Sequence, residues 1–313
     1  VFVTDGRYTT QARRECPGFE IAIAPSSGAF LDAVAEQAGT LGTETLALEA
    51  EYVTLAAFEA LQEKLSGVTL QPVKELASPL RRVKDAAEIA AIREACAIAD
   101  LTFEFILTLL KPGVSERDIA AELEYFMKKQ GSEREAFDTI VVSGANSALP
   151  HGRPSDKPLA EGDFITFDFG ARVRRYPSDL TRTVVLGTAT DRHREIYQTV
   201  LDAQLAGIAA IRAGADGKAV DTAAREVIAA RGYGEHFSHG LGHGIGLHIH
   251  DHVALSQRSE VRLEAGMVIT VEPGIYLEGW GGVRIEDDVL VTETGCEILT
   301  HAPKHLIEVP ING

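Results

Sequence analysis

Cysteine is scarce in this chain, and the little present builds nothing recognisable. Cys16, Cys96 and Cys296 are an odd number, far apart and without a C-x-x-C pair, which argues against a disulfide framework and a cysteine zinc site and suits a reducing cytoplasm. Positive charge is also short. Lys+Arg 30 against Asp+Glu 46 leaves a net charge of -16, which repels phosphate backbones and anionic lipid and so argues against nucleic acid or a membrane as partner. No run approaches the ~18 apolar residues of a membrane span, and no charged-then-apolar leader opens the sequence. An initiator methionine is missing too: Val1-Phe-Val-Thr-Asp-Gly-Arg7 is a strand entering an Asp-Gly turn with no element before it, so the natural chain is expected to begin earlier. What is there suffices for folded cores, since 313 residues with 45% hydrophobic content suggest about two domains.

From Val1 to about Leu76 strand-like and helix-like stretches alternate. Ile21–Ala24 and Thr45–Leu48 are predicted strands, Phe30–Ala38 and Leu55–Leu65 predicted helices, an α/β pattern with no catalytic-looking cluster. Ser78-Pro79 interrupts it and marks a boundary between residues 1–78 and 79–313. A long helix from Asp85 to about Leu110 follows, ended by Lys111-Pro-Gly113. A second has Ser115 as N-cap with Asp118 three residues on, and Gly131 as its stop. The Gly113 to Gly131 interval then recurs as Gly214 to Gly232. Leu159-Ala-Glu-Gly-Asp-Phe-Ile-Thr-Phe-Asp168 likewise matches Leu263-Glu-Ala-Gly-Met-Val-Ile-Thr-Val-Glu272. Two matched blocks in one order predict an internal duplication about a pseudo-twofold axis, with Asp168 and Glu272 at equivalent places; the period is far too long for a solenoid.

The chemistry gathers around Phe237–Asp251, where four histidines and four glycines are interleaved. Such a tract is no ordinary helix, and glycine lets its backbone bring imidazoles close to a ligand. Acids stand elsewhere at strand-like spacing. Asp168 lies in the apolar run Phe164–Gly170, Asp179 eleven residues on where a second strand begins, Glu272 after Val271, and Glu286 entering Val289-Leu-Val291. Inward carboxylates on adjacent strands would repel each other strongly, and bound divalent cations would relieve it. Four carboxylates and one imidazole suit manganese, cobalt or zinc in a two-metal site, where a shared water becomes acidic and a carbonyl is polarised.

The motifs P-H-G-R-P-S, F-D-F-G, S-D-L-T-R-T, H-G-L-G-H-G-I-G-L-H-I-H-D, V-E-P-G-I-Y and V-R-I-E-D occur in that order. On these the chain resembles the pita-bread metallopeptidases, the family of methionine aminopeptidase, aminopeptidase P and prolidase, and within it the proline-specific branch. The resemblance implies an α+β architecture: a pseudo-twofold duplicated pita-bread (creatinase/aminopeptidase) catalytic domain behind a smaller α/β N-terminal domain that lacks its first elements and mediates a homodimer. It implies two divalent cations, with manganese ahead of cobalt or zinc. Asp168 would chelate one, His243 and Glu272 the other, and Asp179 and Glu286 would bridge both. It further implies that His151 binds substrate or stabilises an oxyanion and that His250 contacts the scissile carbonyl or shuttles protons. Glu272 would double as general base, and His239 and Tyr276 would border the substrate. Arg284, two residues before Glu286, shares its strand face and suits orienting a carboxylate.

The expected activity is hydrolysis of the bond between an N-terminal residue and a following proline, whose tertiary amide lacks the N–H that other peptidases use. An Xaa-Pro dipeptidase leads; aminopeptidase P, acting on longer peptides with proline second, is the alternative. A metal-free binding module on the same fold is the rival of another class, and the complete ligand set argues against it. His193, His236, His248, His252, His301 and His305 are expected to be solvent-facing or supporting. Asp287 and Asp288 are expected to be solvated or hydrogen-bonding neighbours, and Arg172, Arg174 and Arg175 a solvated charge run.

Overall fold

The computed structural model describes residues 1–311, and the chain divides into two compact units, Val1–Pro79 and the part from Leu80 onward. In the first unit strand Phe2–Asp5 pairs in parallel with Ile21–Ala24, and Thr45–Glu49 with Thr69–Val73. Parallel pairing needs crossovers, and helices Thr9–Glu15 and Leu55–Lys64 supply them. Ala38, Leu61 and Leu65 pack with Leu46, Leu48 and Leu70 to make its apolar centre.

Pro79 does not break structure outright. It sits in the first turn of a short helix, Ser78–Arg82, where its missing N–H leaves no intrahelical bond unmade. The helix Ala86–Leu107 then starts at a capping box made by Asp85 and Glu88, and Glu116–Lys129 at another made by Ser115 and Asp118. Thr190 and His193 form a third at the head of Asp191–Ala210, which gives one of the unassigned histidines a structural task. Among the described residues no helix is long and apolar enough to cross a membrane.

The second unit is built twice. In its first half two helices cover a sheet ordered Glu308–Val309, Leu180–Leu186, Phe164–Phe169, Ile140–Ser143. In its second half Asp191–Ala210 and Gly217–Ala230 cover the sheet Val268–Val271, Asp287–Val291, Cys296–Ile298 and the hairpin Gly274–Leu277/Gly281–Arg284. The equivalence extends to single hydrogen bonds. Gly113 N–H donates to Leu159 O as Gly214 N–H does to Leu263 O, and Leu159 and Leu263 return bonds to Val114 and Ala215. Gly162 N–H meets Leu186 O as Gly266 N–H meets Val291 O. The duplication expected from the matched blocks is therefore present in the backbone.

Each half has its own core. Ile165, Phe167 and Phe169 pack with Phe103, Leu123 and Met127, while Ile269 and Val271 pack with Val200, Val220 and Ile228. The period of two in a strand sends the alternate residues, Thr166 with Asp168 and Thr270 with Glu272, to the opposite face. That face is shared by the two halves.

Of the two readings expected for Asp287 and Asp288, the structure bears out hydrogen-bonding neighbours and not solvated acids, for both are fully buried. Asp287 accepts bonds from Arg182, Gln204, Thr300 and Lys304. Asp288 accepts from Asp179 N–H at 2.8 Å and from Cys96 Sγ at 3.3 Å. No partner lies within a turn or strand of them: the nearest, Thr300, is 13 residues beyond Asp287, and Arg182, Gln204, Asp179 and Cys96 are far more distant.

Candidate metal centre

The antiparallel ladder sets Asp168 opposite Thr181. Asp179 lies two residues before Thr181 and so shares its face. Extending the register one step places Asp179 across from Gly170, where an added Cβ would stand 1.9 Å from Ser178 O; only glycine lets the strands approach so closely beside the acids. In the other half Val271 pairs with Asp287 and Gly274 with Arg284, which leaves Glu272 facing Glu286. The ladders change partners there. Glu286 N–H donates to Thr181 O at 3.1 Å, tying the second half to the first, and Glu272 N–H donates to Leu241 O at 2.8 Å. That second bond brings in the histidine tract. Gly242 lies against Thr270, where a Cβ would be 2.0 Å from the carbonyl oxygen, and His243 N–H donates to Thr270 Oγ1 at 3.0 Å.

The side chains converge accordingly. Donor atoms of Asp179, His243 and Glu286 all lie within 4.8 Å of one another. His243 Nε2 stands 3.5 Å from both Asp179 Oδ2 and Glu272 Oε1. The Nδ1–H of the same ring donates to Gly244 O at 3.1 Å, which fixes the tautomer that leaves the Nε2 lone pair facing the acids. Asp168 completes the group through Arg284, whose Nη2 donates to Asp168 Oδ2 at 2.5 Å.

Electrostatically the group is frustrated without a cation. Burial, and then the nearby Glu286 and Asp168, push the Asp179 carboxyl well above its ordinary range. Glu286 is raised likewise by burial and by Glu272 and Asp168. Burial takes Glu272 up to about 7 against the pull of Arg284. Burial also lowers His243, keeping it a neutral ligand. Two buried oxygens, Asp168 Oδ1 and Glu286 Oε1, have no hydrogen-bond partner. Unpartnered carboxylate oxygens beside a neutral imidazole fit a divalent cation of the oxygen- and nitrogen-binding class.

The acids line a cavity of about 670 Å³ together with His151, His239, His250 and Arg284. His151 and His250 are exposed at its wall, and the His250 ring lies 4.3 Å from that of His243. His239 is held differently. Its ring bonds Gly240 O at 2.8 Å and the Tyr276 hydroxyl at 2.9 Å, and that hydroxyl accepts from Arg284 Nη1 at 3.0 Å. Burial and the charge of Arg284 lower His239 to about 4, so the ring is neutral near pH 7 and, with Nδ1–H donating to the carbonyl, its Nε2 accepts from the Tyr276 hydroxyl. Tyr276 stands behind His239 and Arg284 and is not among the residues of the cavity wall. Arg284 also donates to Thr181 Oγ1 and Pro150 O, linking the acids to the residue before His151. Arg172, Arg174 and Arg175 do not line the cavity, and Arg174 pairs with Glu94 at 2.8 Å.

Two supporting residues, both threonines, escaped the sequence reading, and a third, Asp288, was expected there only as a neighbour. Thr181 Oγ1 donates to Glu286 Oε2 at 2.6 Å, Thr270 Oγ1 to Glu272 Oε1 at 3.1 Å, and Asp288 holds the Asp179 amide. A signal for the threonines was present: each lies two residues from an acid in a strand, hence on the acid's own face.

A family model described as Metallopeptidase family M24 matches residues 90–293, which include every acid of this site. The chain belongs to metallopeptidase family M24. A Creatinase/Prolidase N-terminal domain model matches residues 1–83 of this M24 chain. The chain is 44% identical over 265 residues to an Xaa-Pro dipeptidase of Pyrococcus furiosus, covering 85% of this chain and 76% of that one. Its fold matches an Xaa-Pro dipeptidase from Bacillus anthracis at a TM-score of 0.95, with 46% identity over 97% of this chain and 85% of the other. An X-Pro aminopeptidase from Thermotoga maritima matches at 0.92, with 43% identity over 98% and 87%. As an M24 enzyme with the pita-bread fold the chain is a divalent-metal peptidase.

Proposed function

We propose that this metallopeptidase hydrolyses the peptide bond between an N-terminal residue and a following proline, with the free Xaa-Pro dipeptide as its substrate. The observation that carries the reading is the convergence of Asp168, Asp179, Glu272 and Glu286 with a neutral His243 on one cavity, in a chain so similar to an Xaa-Pro dipeptidase. Asp168 would hold one cation, His243 and Glu272 a second, and Asp179 and Glu286 both, with manganese preferred and cobalt or zinc as substitutes. Cations bound there would acidify water and polarise the carbonyl under attack.

The protein's own groups do the rest. Glu272 takes the proton of the attacking water as its oxygen bonds the carbonyl carbon. His151 and His250, exposed at the cavity wall, bind the carbonyl oxygen as charge develops there and deliver a proton to the proline nitrogen as the C–N bond breaks. Arg284 keeps Asp168 oriented, and the neutral His239 contributes its ring face. The reading places the enzyme in the cytoplasm as a homodimer formed through the Val1–Pro79 unit, whose exposed Phe19, Tyr52 and Leu55 suit burial against a second copy.

A cation decides between dipeptide and longer peptide, because only the dipeptide carries its free carboxylate on the proline itself. Among the described residues of the cavity wall the lysines and arginines are Arg153 and Arg284. Arg284 is committed to Asp168, Tyr276, Thr181 and Pro150. Arg153 has a side chain 85% exposed and stands 3.4 Å from Asp138, which leaves it free to turn to a substrate. Ala-Pro and Ala-Pro-Ala, each assayed with Mn²⁺ and with chelator, test the reading. Metal-dependent turnover favouring Ala-Pro supports the dipeptidase, and preference for the tripeptide makes the enzyme an aminopeptidase P. Arg153→Ala is expected to raise KM for Ala-Pro roughly fivefold, the size of one exposed ion pair, and to leave Ala-Pro-Ala unchanged. Equal effects on both substrates remove Arg153 from specificity.

A further inference from the structure

The motif His248-Ile-His-Asp251 ends in an acid that the reaction does not use, and it is fully buried. Asp251 Oδ2 accepts from Lys84 Nζ at 3.0 Å, with the two side chains 0% and 1% exposed. Arg81 lies 3.4 Å from the other oxygen. Replacing a buried ion pair with apolar side chains is commonly neutral or stabilising, so stability alone gives little reason for one here. Its surroundings give a better one. The backbone wraps the carboxylate so closely that a Cβ on Gly246 would stand 2.3 Å from Asp251 Oδ2. Asp251 N–H donates to Gly244 O at 2.8 Å. This is the same carbonyl that accepts His243 Nδ1–H at 3.1 Å.

We propose that Lys84 is a positioning residue for the metal-binding imidazole, acting through Asp251 and the Gly244 carbonyl. The inference rests on the reading of His243 as a ligand. Lys84 is itself anchored, for its Nζ also donates to Arg82 O at 3.1 Å and its N–H to Gly266 O at 2.9 Å. It therefore pins Asp251, Asp251 pins the Gly244 carbonyl, and the carbonyl sets the tautomer and the plane of His243. Gly244 N–H closes the loop on Val253 O at 2.8 Å, so a shift at Asp251 is carried to the imidazole instead of being absorbed by a slack loop.

The test is Mn²⁺ titration by calorimetry of the full chain after chelator treatment, comparing wild type, Lys84→Met and Leu123→Ala, the last a core truncation in the first half of the second unit. Lys84→Met is expected to weaken Mn²⁺ binding about tenfold or more, the range seen when the outer hydrogen-bond partner of a ligand is lost. Leu123→Ala is expected to lower the melting temperature and leave the affinity unchanged. If Lys84→Met does not fold, Asp251→Asn is measured in its place with the same expectation. Wild-type affinity in Lys84→Met, or an equal loss in Leu123→Ala at matched destabilisation, overturns the inference and leaves the metallopeptidase reading standing. Absence of Mn²⁺ binding by the wild type overturns both.

Discussion

Glu286→Gln is expected to lower kcat/KM on an Xaa-Pro dipeptide at least about 10³-fold, the several kcal/mol that metal-assisted charge stabilisation supplies, while raising the melting temperature of the chelated protein. The two effects share one cause. Glu286 is buried, its Oε1 has no partner, and it faces Glu272 within its own half and Asp168 and Asp179 across the junction. The amide has nearly the same shape, and its carbonyl still accepts the Thr181 hydroxyl that now bonds Oε2. What disappears is one negative charge. The cations lose an anionic ligand, and the metal-free protein loses part of a repulsion that works against folding. Steady-state kinetics with saturating Mn²⁺ and thermal denaturation in chelator measure the two sides. Activity within tenfold of wild type would remove Glu286 from the ligand set, and a lower melting temperature in chelator would mean the acids are not frustrated.

In chelator the wild type is expected to lose stability as pH rises from about 6.5 to 8, and with Mn²⁺ the loss should vanish or reverse. The sign follows from which state holds more protons. Burial raises Glu272 from 4.5 to about 7 and Asp288 from 3.8 to about 8, so between those limits the folded chain keeps protons the unfolded chain has released. Their stabilisation is fully present below the unfolded values and is lost as pH climbs through 7 and 8. At about 1.4 kcal/mol per pKa unit, Glu272 contributes on the order of 3 kcal/mol over its own range from 4.5 to about 7, and only its upper end, with Asp288, acts unopposed. Asp179 and Glu286 shift in the same direction and add to it. Groups that act in the opposite sense include His239 and Asp287: burial lowers His239 from 6.5 to about 4, so its contribution grows with pH up to 6.5 and offsets the acids below that point, while Asp287, lowered by Arg182 and Lys304 in spite of burial, acts only at pH below its ordinary 3.8. Cations require the ionised acids, so their stabilisation grows with pH. Melting temperatures at pH 5, 6, 7 and 8 with chelator and with Mn²⁺ should diverge towards the alkaline end. A chelated midpoint that rises across the window would show the acids already compensated by something other than a cation.

Much of the architecture is local and therefore legible in the residues. Ser115 with Asp118 announces a helix start because both bonds of the capping box close within one turn. The run Phe164–Phe169 announces a strand because its odd residues are the core face, and that same period isolates Asp168 on the other side. The duplication is visible because matched blocks such as Leu159–Asp168 and Leu263–Glu272 fold by the same local rules twice. Motif order carried the family. Apart from Thr270, two residues from the Glu272 it supports, the supporting contacts were not legible, since they depend on pairings between residues about a hundred positions apart. Thr181 with Glu286, Arg284 with Asp168 and Asp179 with Asp288 each join the two halves, and no spacing within either half specifies them. The burial of Asp287 and Asp288 and the place of Tyr276 behind His239 belong to the same class.

By itself, then, the sequence determined which residues are acids and imidazoles at strand ends and glycine turns, because propensity and periodicity act within a few residues. The tertiary structure alone decided that Glu272 faces Glu286, that Gly242 crosses Thr270 closely enough to deliver His243, and that a lysine outside every motif reaches Asp251. Those contacts are set where strands and the histidine tract, distant from one another in the chain, cross, and there the close approach of backbones, not any local preference, fixes which side chains meet.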